Sequence, residues 1–498
     1  MDERLKKLKL NSILSLGYQL ILIISGLILP RYFLSYYGSD VYGLVSSISQ
    51  FLSFVNICDM GIGAVVSSAL YKPLAENDNE KISVILATAK HFFRVVSFFL
   101  VIYVIILCFI FPIKVANSFD TFFTISLLLS MSVSIFGQYF IGISYQILLN
   151  SDQKYYVQLI INGVTLVLNT IFCIILITLG CSIQVVKLVT SIIYLLRPII
   201  LFIYTKKKYS FNKKAKCNWN VIPQKFNGIF QHISYTVCEN TDIAILTLFS
   251  SLANVAIYSV YYLIVNCIKN IIKAMTSSIV ATFGNMIANN EKKRLIETYD
   301  LYEWFVHTLG SLLFTITGVL ILAFVSIYTR GVNDANYNVP IFAILMVVVA
   351  FFNIVRASMY NVIMAAGHYK QTQFACACEM LINIFVSITL VFKFGLIGVA
   401  IGTIASTLFF IIYEVIYLSK NILNRSINNF IKQGIIDLIF ILITIITTFL
   451  IPINNNNYIY WIFSAIIVSL ISLVICVIIN LIFYRKNIMD FIKFVLKK

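Results

Sequence analysis

Apolar residues run along this chain in long blocks separated by short polar breaks, with no sustained two-residue alternation. Fourteen blocks reach about the 20 mainly apolar residues that a helix needs to cross bilayer hydrocarbon: residues 10–34, 41–70, 91–112, 119–149, 155–180, 182–204, 226–249, 254–284, 304–327, 338–364, 373–393, 396–418, 433–451 and 459–483. They predict an all-α polytopic membrane protein of about 14 transmembrane helices. The pattern also repeats. Tyr145-Gln146-Ile147-Leu148-Leu149-Asn150-Ser151 is echoed by Tyr360-Asn361-Val362-Ile363-Met364-Ala365-Ala366 at an offset of 215 residues (145 to 360). Leu179-Gly180 faces Phe394-Gly395 at the same offset, and Asn11-Ser12-Ile13-Leu14 faces Asn227-Gly228-Ile229-Phe230 at 216. Six blocks separate equivalent positions, so the reading is two parallel six-helix repeats plus two C-terminal helices, an architecture of secondary transporters. The expected boundaries are 1–205 for the N-terminal half, 206–225 for a basic cytoplasmic linker, 226–418 for the C-terminal half, and 419–498 for two extra spans and a basic tail.

Composition agrees with the bilayer: 60% of residues are apolar, 11% are charged and mean hydropathy is +0.93. The first run, Leu10 to Leu29, is longer than a signal-peptide core and lacks a small-residue cleavage site, so it is expected to remain as the first span. The formal charge of +17 would suggest a nucleic-acid partner if it lay on a soluble surface, but its placement says otherwise. With the N-terminus inside, 28 of the 37 Lys and Arg fall in loops on the inner side, only Arg31, Lys114, Arg330 and Lys393 on the outer side, and Lys187, Arg197, Lys269, Lys273 and Arg356 within spans. This is the positive-inside asymmetry, and it predicts both termini in the cytoplasm. The Lys-rich segment 206–216 then acts as a topology signal and linker.

Signatures of catalysis are missing. The ten cysteines are scattered, mainly through spans, and the closest pair, Cys376 and Cys378, has neither a second pair nor a histidine cluster for a metal. His91, His232, His307 and His368 form no H-E-x-x-H motif, and no phosphate-cradling glycine loop is present. The expectation is a non-enzyme without cofactor or metal. What remains is charge in the wrong solvent, since an ionisable side chain inside a span is costly and marks a functional candidate. Lys269 and Lys273 lie four residues apart on one helical face, where like charges repel unless an anion lies opposite. That anion is either a substrate or an internal partner such as Glu239 and Asp242 in the preceding span; Lys187 and Arg197 can instead snorkel to the two membrane faces. The acidic residues within spans are Asp59, Glu239, Asp242 and Glu379, with Glu414 and Asp437 near span ends. Asp59 precedes Gly61 and Gly63, where a helix can loosen and expose carbonyls. Arg31, Lys269, Lys273 and Arg356 come from both halves and form the expected anion site. Asp59, Glu239 and Asp242 are the candidates for proton or cation coupling, with bundle-packing ion pairs as the alternative.

Several short motifs carry a family resemblance. Asn11, Pro30-Arg31, Tyr37-Gly38, Tyr42-Gly43 and Asp59-Met60-Gly61 in the first half, and Asn240-Thr241-Asp242, Tyr258-Ser259-Val260-Tyr261 and Phe283-Gly284 in the second, resemble in order and spacing the bacterial polysaccharide repeat-unit flippases, the Wzx-type exporters of O-antigen and capsule synthesis. These belong to the multidrug/oligosaccharidyl-lipid/polysaccharide (MOP) superfamily, alongside multidrug extruders and lipid II flippases. The resemblance covers nearly the whole chain. It implies an undecaprenyl-diphosphate-linked oligosaccharide as substrate, moved by alternating access from the inner to the outer leaflet of the cytoplasmic membrane. It also implies membrane lipid, a polysaccharide polymerase and glycosyltransferases as partners, and no nucleic acid. The physics is compatible: a dianionic head cannot cross hydrocarbon unaided, and Lys and Arg both pair with phosphate oxygens. The alternative is a cation-coupled multidrug extruder of the same superfamily, whose cationic substrates favour an acidic lumen. A membrane glycosyltransferase would need a large outer loop or a carboxylate cluster at a membrane face, and a non-transporting scaffold would not require buried charges in a duplicated bundle.

The charge asymmetry makes a topological prediction. A cysteine introduced in 206–225 should stay unreactive toward an impermeant thiol reagent in intact cells and react once the membrane is opened; labelling from outside would reverse the assignment.

Overall fold

The structure, a computed structural model, describes residues 2–59, 62–212, 215–219, 229–276, 279–451, 453 and 457–489. Among the described residues there are helices and their connections and no strand. The chain divides into two compact units, 1–240 and 241–498. The first contains α1 (Asp2–Ser53), α2 (Ile62–Glu76), α3 (Asn79–Val115), α4 (Thr121–Gly137), α5 (Ile143–Ser151), α6 (Tyr155–Thr178) and α7 (Ile183–Lys208). The division falls inside α8 (Ile229–Phe249). The second contains α9 (Leu252–Thr276), α10 (Ile279–Ala288), α11 (Lys292–Tyr328), α12 (Pro340–Ala365), α13 (Tyr369–Phe394), α14 (Leu396–Leu418), α15 (Asn428–Phe449) and α16 (Tyr458–Phe483).

Twelve helices among the described residues are long and apolar enough to cross a membrane, close to the fourteen expected. The difference has two sources. The first two expected spans count as one because helix continues from α1 past Gly38, a residue with non-helical φ/ψ (81°, 176°) that separates them. The other is α8, which is helical but carries Glu239, Asn240, Thr241 and Asp242 in its middle and is too polar to qualify. Helix also changes character at Phe54–Asp59, a 3₁₀ turn between α1 and α2, where the sequence predicts loosening ahead of Gly61.

The duplication is visible in the pairing of helices. In the first unit α2 packs on α3 and α5, α3 on α4, α4 on α7 and α6 on α7; in the second, α10 packs on α11 and α12, α11 on α12, α12 on α14 and α13 on α14. The turns repeat as well. Gly180 (φ 75°) and Gly395 (φ 53°), matched in the sequence, both sit in the left-handed region between consecutive helices, a conformation that costs glycine no Cβ clash. Asn77 and Asn290, and Gln153 and Gly367, repeat the same conformation at two further connections. Asn11 serves the Gln153 turn: its amide donates to Gln153 O (3.1 Å) and its oxygen accepts from Tyr156 N (2.7 Å). That motif residue is therefore structural. Tyr37 plays a similar part, donating to Cys181 O at 2.6 Å.

Burial is inverted relative to a water-soluble protein. Phe98, Phe109, Phe385, Leu438 and Ile466 lie exposed on the helices while Ser97, Thr88, Ser387 and Thr444 are buried. An apolar exterior of this kind needs lipid as its solvent. Inside, small residues set the spacing. Gly398 and Gly402 on α14 form a G-x-x-x-G face against α13, where a Cβ on Gly398 would meet Leu390 O at 2.4 Å and one on Gly402 would meet Ser387 N at 2.7 Å. Those neighbours are backbone and cannot rotate away.

Gly402→Val should therefore destabilise the folded protein by about 1–3 kcal/mol or more, read as a lower midpoint of thermal unfolding in detergent. Gly434→Ala, which meets nothing within 4 Å inside α15, should leave the midpoint unchanged or raise it, because alanine favours helix by about 1 kcal/mol over glycine. Equal effects at the two positions would contradict the packing account.

Candidate functional site

A charge that cannot reach water must be matched by an opposite charge, a polar group or an aromatic face, and the spans meet this need one residue at a time. In the first unit Lys187 Nζ lies 4.2 Å from the centre of the Phe33 ring. Arg197 stacks on Tyr194 at 3.9 Å and donates from Nε to Thr165 Oγ1 at 2.7 Å. Both cations are held by packing within the helices. Arg31 is half-buried in α1, directly after Pro30 and ahead of the break at Gly38. Asp59 closes the 3₁₀ turn, and its side chain lies outside the described residues. Glu239 is half-buried in α8.

The second unit gathers most of the chemistry. Asp242, 7% exposed, accepts a hydrogen bond from Tyr258 OH (2.8 Å) and has Thr403 Oγ1 at 2.8 and 2.9 Å from its two carboxylate oxygens. Asn383 on α13 donates to Thr403 Oγ1 at 3.3 Å. A carboxylate on α8 is thus fixed by groups from α9 and α14. Tyr258 stacks on Tyr262, with ring centres 5.9 Å apart and planes at 20°, and Lys269 Nζ lies 6.0 Å from the Tyr262 ring. An acid, two stacked rings and a cation follow one another, the rings and the cation all on α9. Lys269 is 6% exposed, whereas Lys273, one turn on, is exposed. Tyr261 from the same motif anchors the helix by donating to Tyr337 O at 2.7 Å.

Arg356 on α12 makes a bidentate pair with Glu379 on α13 (2.6 and 3.0 Å) and lies 4.2 Å from the Phe410 ring of α14. Glu414, one turn beyond Phe410, is 1% exposed, and its Oε2 has no hydrogen-bond partner. The sequence places Glu414 and Asp437 at span ends. Both are buried instead, because α14 continues through Ser419–Leu423 as a wider π turn and α15 begins well before Asp437, at Asn428. Thr403, Tyr258 and Asn383 carry no charge, so nothing in the sequence marks them as partners of a buried carboxylate. His307, which belongs to no metal motif, forms a buried pair with Asp437 at 2.5 Å. Among the described residues no cluster of three or more His, Cys, Asp and Glu has the arrangement of a metal site.

No family model matches the chain, and no curated protein matches it in sequence. Its fold, however, is that of known membrane transporters. The lipid II flippase MurJ, in an inward closed conformation, superposes with a TM-score of 0.69 at 18% identity over 96% of this chain and 99% of its own. The MATE multidrug transporter DinF-BH gives a TM-score of 0.63 at 15% identity over 84% of this chain and 95% of its own. An inward-facing multidrug resistance MATE family transporter of the MOP superfamily gives 0.60 at 14% over 82% and 98%. The share of this chain that the MATE structures leave uncovered is similar in size to the segment 419–498.

The Arg356 pair yields a prediction that separates an internal ion pair from a free cation. Arg356→Met, which strands Glu379 beside Glu414, should cost about 3–5 kcal/mol of stability. Adding Glu379→Met should recover most of the loss in thermal unfolding of the purified protein; a double variant as unstable as the single would show that the pair does not act as a unit.

Proposed function

We propose that this chain is a Wzx-type member of the MOP superfamily, a flippase that moves undecaprenyl-diphosphate-linked oligosaccharide repeat units from the inner to the outer leaflet of a bacterial cytoplasmic membrane, for O-antigen or capsule synthesis. The observation that carries the proposal is the extent of the likeness to the lipid II flippase, which covers 96% of the chain, whereas the MATE multidrug transporters account for little more than four-fifths of it. In this reading the substrate's diphosphate meets Lys269 first, since it is a buried cation flanked by tyrosine rings that suit a sugar. Arg31 and Lys273 add charge on the way in or out. Arg356 joins only by exchanging Glu379 for a phosphate oxygen. The two repeated halves alternate access to the two leaflets. Polymerase and glycosyltransferases act before and after this step.

Asp242 is the leading candidate for coupling to a proton or cation gradient, with Asp59 and Glu239 as further carboxylates. Its carboxylate is buried and accepts hydrogen bonds from Tyr258 and Thr403. Moving one elementary charge through the membrane potential contributes about 2.3 kcal/mol per 100 mV, enough to bias a reversible cycle.

Deleting the protein in its host should cause the lipid-linked repeat unit to accumulate in the inner leaflet; accumulation in the outer leaflet would place the protein after translocation and end the proposal. In the complemented strain, Lys269→Ala with Lys273→Ala should lower export by about tenfold or more at normal protein levels, since one charge-assisted hydrogen bond contributes about 1.5–3 kcal/mol. Unchanged polymer export would remove both lysines from the substrate path.

A further inference from the structure

The C-terminal helix pair carries a polar core that transport of a lipid-linked anion does not use. Within the second unit, α16 is tied to α11 by Trp304 Nε1 donating to Asn480 Oδ1 at 2.7 Å, and α15 is tied to α11 by the contact of His307 Nδ1 with Asp437 Oδ2 at 2.5 Å. His307 is 4% exposed, Asp437 7%. A cavity of about 20 Å³ opens beside this pair, lined among others by Trp304, Gln433, Asn480 and Tyr484. That exceeds the roughly 10–15 Å³ that one water molecule requires. Three of the residues lining it carry a buried polar atom with no hydrogen-bond partner: His307 Nε2, Gln433 Oε1 and Tyr484 OH. A water molecule needs two to four polar partners to be held in such a place, and these three atoms supply them.

We propose that this cavity is a proton-binding site, in which a bridging water delivers a proton to His307 Nε2 while Asp437 carries the balancing charge, and that loading it holds α15 and α16 against α11. The charge balance gives the reason. A neutral imidazole beside a carboxylate leaves one negative charge away from water, whereas the imidazolium and carboxylate together are neutral. The proton comes from bulk water, only an N–H bond forms, and the new donor finds an acceptor in the bridging water or in Gln433 Oε1. The surroundings do not supply the missing positive charge. On α11 and the connector before α15, Glu303 is paired bidentately with Arg425 (2.7 and 2.6 Å), which also contacts Asp300. On α15, Lys432 lies over the Tyr484 ring at 5.7 Å, and Arg485 follows on the exposed side of Tyr484. Besides Asp437 and Gln433 of α15, α12 and α15 present ring edges to the histidine, Phe351 at 6.5 Å and Phe430 at 5.6 Å, and α16 adds the thiol of Cys476. Tyr484 lines the cavity, and Lys432 lies over its ring. The site is independent of the substrate reading, since it uses none of the cations assigned to the diphosphate.

The test uses the full-length protein in lipid nanodiscs with ¹⁵N-labelled histidine. Four histidines are present, and the resonances that survive replacement of His91, His232 and His368 by Gln, one at a time, belong to His307. Its ring should pass reversibly between singly and doubly protonated forms as pH is taken from about 9 to about 5, and Asp437→Asn and Tyr484→Phe should each move the pH at which this happens. Thermal unfolding of the wild-type protein should show it more stable on the acid side of that transition, a difference lost in Asp437→Asn. A His307 ring that keeps one protonation state throughout, or one that titrates identically in both variants, overturns the proposal. Equal wild-type stability on the two sides overturns the link to helix packing. The wild-type spectrum alone decides the first point even if a variant fails to fold.

Discussion

The cost of an ion in hydrocarbon governs this molecule. A charged side chain in the middle of a bilayer must be matched locally or it will not stay charged, and the described spans show four ways of doing so. Lys187 sits over a phenylalanine ring, Arg197 over a tyrosine with a threonine hydroxyl, Arg356 in a bidentate carboxylate pair, and Asp242 under a tyrosine and a threonine. Each match ties helices together, so the charges are also fasteners. This narrows the set of residues free to recognise an anionic substrate. Lys269 is buried on α9 with the Tyr262 ring 6.0 Å away.

Around these charges the scaffold is repeated. The same helix pairings and the same left-handed turns occur in both units, while the side chains they present have diverged. The first unit uses aromatic faces to quiet its cations. The second adds carboxylates, at Asp242, Glu379, Glu414 and Asp437, and the extra helices α15 and α16 bring one of them against His307. A symmetrical frame thus carries unsymmetrical chemistry.

Much of the frame was legible from the sequence because it rests on periodicity and length. Apolar blocks of membrane thickness located the helices, and the 215-residue offset matched Gly180 with Gly395 before either was known to occupy a left-handed turn. Apolar length placed a span at 226–249, where α8 lies, although its acidic middle makes it marginal by composition. The site was less legible. Charges were easy to find, but which of them meet depends on how helices face one another, and nothing in the spacing of Arg356 and Glu379 announces their contact. Glu414 and Asp437 were misplaced for a simpler reason: a count of apolar residues cannot see that helix continues past the end of the apolar run. Thr403 has no signal until a carboxylate is brought against it, and Tyr258, though part of a motif, is not marked there as a carboxylate's partner.

The central proposal is that this scaffold moves a lipid-linked anion, which Lys269 meets. Its most direct test is leaflet exchange in proteoliposomes that hold the purified protein and an undecaprenyl-diphosphate-linked oligosaccharide, followed by accessibility of the sugar to an impermeant lectin or glycosidase. The account predicts exchange well above protein-free vesicles and no accumulation of cationic dyes. Dye transport without exchange of the lipid-linked sugar would contradict it and identify the protein as a multidrug extruder.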